Sequence, residues 1–148
     1  MSKARKPQPR TRSPLYRLIA AGQLAHRAVL APAMQRGIEP GDDALLHLLA
    51  TTPKVTAPDL AAAMNLAPDQ LRRRLGRLID RELVVLRATG PDLLPQLMLT
   101  ARGARLEAVL AEQWAAMEVE LLGDLKPRQR KVLGKRLKNI IDRLEQEG

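Results

Sequence analysis

Cysteine and phenylalanine are absent from this 148-residue sequence, and tryptophan and tyrosine occur once each. Without cysteine there is no disulfide, no thiolate metal ligand and no thiol redox chemistry, which favours a reducing compartment such as the cytoplasm. A core almost free of aromatic residues must consist of leucine, alanine, valine, isoleucine and methionine, and this mixture favours helices over sheets. Long apolar runs are also missing, so no membrane span is predicted. We expect a mainly α-helical cytoplasmic protein with one compact domain and helical extensions.

Acidic residues are scarce relative to basic ones, since 16 Asp and Glu face 25 Lys and Arg and leave a formal net charge of +9. Such an excess implies an anionic partner, either nucleic acid or an acidic membrane face, although solubility alone is the simpler explanation. Residues 1–13 have no apolar periodicity and are predicted to form a disordered basic arm. The basic residues of this arm are Lys3, Arg5, Lys6, Arg10 and Arg12.

Helical periodicity begins directly after the arm. Ser13 and Pro14 are typical of an N-cap followed by proline at the first helical position, and the helix is predicted within residues 14–39. A second helix begins with Asp42 and Asp43 in its first turn, where negative charge suits the helix dipole.

The triplet Ala-Pro-Asp occurs twice, at residues 57–59 and 67–69. Thr56 is a predicted N-cap for the first copy, since proline is tolerated in the first turn of a helix. Pro68 biases the residue before it away from helical torsions, so one helix ends near residue 65 and the next begins at Pro68. Two helix starts separated by a tight turn predict a helix-turn-helix unit.

The second helix of this unit, about Pro68 to Arg81, is predicted to be the recognition helix. Its leucines share one face, and its polar residues occupy the opposite face and the flanks. Arginine and glutamine can each grip a base in the major groove with two hydrogen bonds, and glycine in an exposed helix interior is explained by close approach of a partner. In an arbitrary helix these charges would more often form a solvated face. The predicted DNA contacts are Asp69, Gln70, Arg72, Arg73, Arg74, Gly76 and Arg77.

A hairpin is predicted after the recognition helix, with strands at 83–87 and 96–100 joined by a loop near Gly90 and Pro91. A helix-turn-helix unit followed by a hairpin is a winged helix, here spanning residues 40–100 as the DNA-binding domain. Arg87, at the base of the wing, is a further predicted DNA contact. Thr100 is predicted to cap a long helix, and a last helix begins near Pro127.

The winged helix can bury its own core, so we expect the first helix and the C-terminal segment 101–148 to lack a partner within the chain. Such helices usually pair with a second copy, and two-fold dimers are the commonest soluble assembly. A homodimer would hold two recognition helices about 34 Å apart, suited to a near-palindromic operator in double-stranded DNA. The residues predicted at the dimer contact are Leu15, Leu18, Ile19, Leu133, Leu137, Ile140, Ile141 and Leu144.

Little in the sequence indicates catalysis or a metal site. The two histidines, His26 and His47, are isolated from any cluster of carboxylates, and such histidines are more often core or surface residues than ligands. There is no glycine-rich phosphate loop, no paired carboxylates in a plausible cleft and no serine beside a histidine. We predict no metal, no cofactor and no enzymatic activity.

From "LYRLIAAGQLAHRAV" to "LGKRLKNIIDRL", the sequence resembles the MarR family of bacterial transcriptional regulators. The matching segments, in order, are "RGIEPGDDALLHLLA", "TAPDLAAAMNL", "RLIDRELV" and "LMLTARG". The resemblance implies a homodimeric winged-helix DNA-binding protein, usually a repressor that a small and frequently phenolic effector releases. The effector would bind between the dimer helices and the DNA-binding lobe, with His26, Trp114 and Met117 as candidate ligand-binding residues; ordinary packing is the alternative for these side chains.

Two departures from the family pattern bear on function. The wing carries Asp92-Leu93-Leu94-Pro95 where the family typically has an arginine after the aspartate, so we hypothesise that the basic arm or Arg87 replaces the missing charge. Glu82 stands where the family usually has glycine. A winged-helix protein-interaction or architectural module that binds DNA without sequence preference therefore remains the alternative function.

Overall fold

The computed structural model describes residues 9–91 and 93–147, within which six α-helices and three short strands follow one another. This arrangement confirms the predicted mainly helical winged-helix fold. A single 3-10 turn at Arg10–Arg12 precedes the first helix, and residues 1–8 of the predicted arm lie outside the described residues. The elements are α1 (Pro14–Met34), α2 (Asp42–Thr51), β1 (Val55–Thr56), α3 (Ala57–Met64), α4 (Pro68–Asp80), β2 (Val84–Arg87), β3 (Gln96–Leu99), α5 (Ala101–Leu122) and α6 (Pro127–Glu147).

The three strands form one antiparallel sheet in the order β1-β3-β2. The predicted hairpin is present, with Val84 opposite Leu99 at its base. Strand β1 was not predicted, because two residues are too few to show a period-2 pattern; its Val55 pairs with Leu97. Leu83, predicted as the first residue of the hairpin, lies just before β2 instead, because its N–H donates to the Leu78 carbonyl and closes the end of α4.

The turn between α3 and α4 forms as the repeated triplet predicts. Thr56 Oγ1 accepts a hydrogen bond from the Asp59 N–H at the start of α3, and α3 ends at Asn65 with a left-handed φ of 53°. Asparagine tolerates this region better than most residues. Ala67 has no side chain that can cap α4, so the Gln70 side chain reaches back and accepts from the Ala67 N–H at 3.1 Å.

One hydrophobic core joins residues from five helices and the sheet. Leu30 and Ala33 of α1, and Leu106 and Leu110 of α5, belong to it together with the leucines of α2, α3 and α4. The expectation that the first and fifth helices lack a partner within the chain is therefore wrong for the C-terminal half of α1 and the N-terminal half of α5. The core extends beyond residues 40–100 at both ends.

The chain divides into two compact units, of which the first extends to Gln113 and the second covers Trp114–Gly148. The first unit contains the whole winged helix. The second consists of the end of α5 and all of α6, and no residue of α6 is buried. Among the described residues, no helix is long and apolar enough to cross a membrane.

Glu82 ends α4 in a left-handed conformation with φ 60°, at the position where the resembled family usually has glycine. A side chain in this region costs about 1 kcal/mol or more relative to glycine. We therefore expect Glu82→Gly to raise the free energy of unfolding by about 1 kcal/mol, measured by urea denaturation. Glu82→Ala, which keeps the strained Cβ atom, should give no such gain, and equal stabilisation by both variants would contradict this explanation.

Candidate nucleic-acid interface

Helix α4 is oriented by three leucines that it buries. Leu71, Leu75 and Leu78 are 2%, 7% and 0% exposed and pack into the core of the first unit. Burial of one leucine side chain contributes about 1.5–3 kcal/mol, so this face cannot turn outward without a large loss of stability. The residues on the other side of α4 are consequently held towards solvent.

The outermost surface of α4 carries two exposed arginines and a glycine. Arg72 and Arg73 are exposed, and Arg72 makes one loose ion pair, 3.6 Å from Asp69 Oδ1, in which both side chains keep at least 80% of their exposure. A Cβ atom at Gly76 would meet no other atom within 4 Å. The exposed face of α4, defined by Asp69, Arg72, Arg73 and Gly76, is therefore open to a partner.

The remaining two arginines of α4 reach towards the connector between α1 and α2, residues 35–41, and towards the first residue of α2. Arg74 Nη1 donates to Asp42 Oδ1 at 2.5 Å, and Arg77 donates to both Asp42 oxygens, at 3.0 and 3.1 Å. Asp42 is 0% exposed, while the two guanidinium side chains keep 22% and 30% of their exposure. We call Asp42, Arg74 and Arg77 the Arg–Asp cluster; hydrogen bonds between ions of this kind are roughly twice as strong as neutral ones.

The connector is shaped around this cluster. The Glu39 N–H donates to Asp42 Oδ2 at 2.9 Å, and Arg74 also donates to the Pro40 carbonyl at 3.1 Å. Gly41 has a left-handed φ of 99°, and a Cβ atom there would lie 2.8 Å from the Arg74 guanidinium. Glycine is favoured at this position by its torsion, and a Cβ atom there would displace the guanidinium of Arg74.

The surroundings of Arg77 favour its charged form. Hydrogen bonding to Asp42 raises the pKa of Arg77 above its ordinary value, and the negative charges of Asp42 and Glu39 add to this effect against the opposing influence of burial. Arg77 Nη2 also lies 3.2 Å from Glu39 Oε2. Arg77 thus stays charged and stays attached to the connector.

The structure therefore divides the predicted DNA contacts on α4 into two groups. Arg77 was predicted as a DNA contact, but its long side chain reaches sideways to Asp42, which the angular position of its Cα does not reveal. Arg74, the flanking residue, is held by the same carboxylate. The side-chain oxygen of Gln70 is used to cap its own helix.

The wing presents leucine where an arginine would be expected. Arg87 is exposed at the end of β2, opposite Gln96. Leu93 and Leu94 keep 64% and 60% of their exposure, and Asp92 lies outside the described residues. The described part of the wing thus offers one cation, at its base, and an apolar tip.

The candidate ligand residues fall in different units. His26 Nε2 lies 3.0 Å from Asp43 Oδ2 within the first unit. Trp114 and Met117 belong to the second unit, where Trp114 is 59% exposed and Met117 is half-buried. The other histidine, His47, lies 3.1 Å from Glu107 Oε1. Within residues 9–91 and 93–147, no three His, Asp or Glu side chains form a group that could hold a metal ion.

None of the residues predicted at a dimer contact is buried within the chain. Leu15 and Ile19 of α1 are 65% and 52% exposed. On α6 the exposure rises along the stripe, from the half-buried Leu133 and Leu137 through Ile140 and Ile141 to Leu144 at 64%. Leu18 is also half-buried. These two helices therefore each carry accessible apolar side chains.

Sequence reasoning missed Asp42 as the organising residue of this region. Its position in the first turn of α2 was explained by the helix dipole, so its role as an acceptor for arginines more than 30 residues away was not predicted. The available signal was the spacing of Arg74, Arg77 and Arg81, which places three arginines along one side of α4. Arg81 completes this side by donating to the Arg36 carbonyl at 3.3 Å.

The fold is shared with transcription regulators of known structure. Staphylococcus aureus MepR, in a crystal structure of a MepR-DNA complex, matches with a TM-score of 0.71 and 20% sequence identity, covering 88% of this chain and 94% of that one. A MarR family transcription regulator matches with a TM-score of 0.73 and 23% identity over 90% and 94% of the two chains. Staphylococcus aureus MarR in complex with salicylate and kanamycin matches with a TM-score of 0.78 and 15% identity over 90% and 91%.

No family model matches the sequence, and no curated protein matches it either. The likeness is therefore one of fold, at sequence identities between 15% and 23% for these three structures. As a likeness of fold, the resemblance to MarR-family regulators is confirmed over about nine-tenths of the chain.

Proposed function

We propose that the chain is a MarR-family transcriptional regulator that binds double-stranded DNA as a homodimer, with α4 in the major groove. The observation that carries this proposal is the exposed face of α4, where Arg72 and Arg73 lie beside the open space at Gly76. An α-helix fits the major groove, and arginine recognises guanine there through two parallel hydrogen bonds. A fold shared with a regulator solved in complex with DNA supports the same assignment.

The Arg–Asp cluster supports this function by fixing α4 rather than by touching DNA. Because Asp42 holds Arg74 and Arg77, the position of α4 is tied to the connector before α2. A recognition helix held in place before binding loses less entropy when it enters the groove. The proposed DNA contacts are accordingly Arg72, Arg73 and the rest of the exposed face of α4, with Arg87 at the wing.

Dimerisation is proposed through the exposed apolar residues of α1 and α6. A single chain has one recognition helix, whereas a two-fold pair presents two to successive turns of a near-palindromic site. We further propose that the protein is a repressor, released by a small effector. Staphylococcus aureus MarR, which has the same fold, was solved in complex with salicylate and kanamycin, and this supports a small-molecule effector. His26 in the first unit, and Trp114 and Met117 in the second, are to be tested separately for a role in binding it.

A second function is favoured by one specific observation, the leucine tip of the wing. Leu93 and Leu94 offer no side-chain hydrogen-bond donors to a groove. A winged helix without an arginine at this position would bind DNA more through its net charge of +9 than through base contacts. The alternative is an architectural or interaction module without sequence preference.

Selection from a random-sequence DNA library separates the two functions. The purified full chain is expected to enrich an inverted repeat whose half-sites are centred about one helical turn apart, because two recognition helices read one face of the duplex. Enrichment of a single half-site would contradict the dimer, and no enrichment beyond base composition would establish the architectural alternative.

The basic arm gives a further prediction. If the arm supplies the charge that the wing lacks, deletion of residues 1–12 should weaken DNA binding and reduce the salt slope of log K by about 0.9 for each phosphate that the arm neutralises. The measurement is fluorescence anisotropy with one duplex at several salt concentrations. Arg87→Ala in the full chain is the matched variant for the other explanation, and an unchanged affinity and slope after the deletion would rule out the arm.

A further inference from the structure

A cleft of about 680 Å³ lies in the first unit, at the C-terminal end of α4. Its walls come from the end of α4, the start of α5 and the residue that follows α1 by two positions. Leu83 and Leu106, both almost fully buried, form its apolar floor. The charged residues that line it are Arg36, Asp80, Arg81, Glu82, Arg102 and Arg105.

The charge of the cleft is unbalanced. Four arginines and two carboxylates line it, which leaves a net charge of +2. Among the described residues, its only internal ion pair is the contact between Arg102 and Glu82, at 3.8 Å with both side chains well exposed. Like charges gathered around one cavity repel each other, and a bound anion would relieve that repulsion.

Two of the arginines are placed in ways that favour an anion. Arg81 is held in position because it donates to the Arg36 carbonyl and lies against Gly37, where a Cβ atom would overlap Arg81 Nη1. Arg102 lies in the first turn of α5, where a positive charge opposes the helix dipole. The guanidinium of Arg81, already held in position, loses little conformational freedom when it binds an anion. The charge of Arg102, unfavourable where it lies, is stabilised by a bound counter-charge.

We propose that this cleft binds a compact dianion carrying a phosphate or two carboxylate groups. The net charge of +2 matches such a ligand, and the planar guanidinium groups suit both oxygen-rich chemistries because each can donate two parallel hydrogen bonds. Arg36, Arg81, Arg102 and Arg105 are the binding residues. None of the residues that line the cleft is among the DNA contacts proposed for α4 and the wing.

Isothermal titration calorimetry of the full chain without DNA tests the site, with inorganic phosphate at pH 8 and malonate as dianion probes and acetate as the monovalent reference at equal ionic strength. We expect one dianion per chain and clearly weaker binding of acetate. Phosphate binding without malonate binding would indicate a phosphate ester as the natural ligand, and the reverse would indicate a dicarboxylate. Absence of dianion binding, or equal binding of acetate, would overturn the proposal.

The double variant Arg102→Gln with Arg105→Gln should weaken dianion binding at least about tenfold, because the loss of even one hydrogen bond to a charged group weakens binding by about that factor. Arg128→Gln with Arg130→Gln removes the same charge from α6 and should leave binding unchanged. Circular dichroism checks that each variant is folded, and Arg36→Gln alone, on a different wall, should also weaken binding. Equal losses in both double variants would show a general charge effect and overturn the site.

Discussion

Asp42→Ala is expected to lower the free energy of unfolding by about 3 kcal/mol, the largest single-residue effect predicted for this chain. Removing one partner of a buried ion pair costs about 3–5 kcal/mol, because it leaves an uncompensated charge. Arg74 and Arg77 keep 22% and 30% of their side-chain exposure and can regain some hydration, which places the expected loss at the lower end. Urea denaturation followed by circular dichroism measures it.

Asp142→Ala is the matched control for this variant. It removes a carboxylate from an exposed helical pair, in which Lys138 Nζ lies 3.8 Å from Asp142 Oδ2, and should change stability by less than about 0.5 kcal/mol. Replacing all three members of the Arg–Asp cluster with leucine or methionine should recover much of the loss, since no buried charge then remains. A loss below about 1 kcal/mol for Asp42→Ala would contradict the structural role of the cluster.

Arg72→Ala combined with Arg73→Ala is expected to weaken binding to specific DNA at least roughly 30-fold while leaving the fold intact. Loss of an arginine that reads a base costs about 1–3 kcal/mol, and two such losses add. Both side chains are exposed and the pair with Asp69 is loose, so stability should change by less than about 0.5 kcal/mol. Fluorescence anisotropy with the enriched duplex gives the affinity.

Two comparisons make this result interpretable. Arg128→Ala with Arg130→Ala removes an equal charge from α6, so a similar loss of affinity there would indicate a general electrostatic effect. The salt slope distinguishes the roles further, because removing a phosphate contact reduces it and removing a base contact does not. Wild-type affinity in the Arg72 and Arg73 double variant would exclude α4 as the recognition helix.

Local sequence signals were sufficient for the fold wherever backbone chemistry decides the outcome. The repeated Ala-Pro-Asp triplet located the turn between α3 and α4, because proline restricts both itself and the residue before it. Thr100 caps α5 as predicted, accepting from the Gly103 N–H at 3.0 Å. Each of these features depends on residues within a few positions of one another.

The candidate site was only partly predictable, because long side chains reach well beyond their own helix face. The angular position of Arg77 on α4 is close to that of the exposed residues, yet its guanidinium ends at Asp42, 35 positions away in sequence. Arg73 has no such acceptor nearby among the described residues and remains exposed. Which arginines of α4 stay exposed and which hold the helix in place is decided by tertiary contacts that no local pattern encodes.

Specific DNA binding by a dimer is tested most directly by titrating the protein into its own promoter DNA and into a shuffled duplex of equal length. The titration is run at two salt concentrations, with the solution mass measured in parallel. We expect a dimer that prefers the promoter by at least about a hundredfold, with affinity falling as salt rises. Equal, salt-sensitive binding to both duplexes, or a monomeric mass at binding concentrations, would contradict the account.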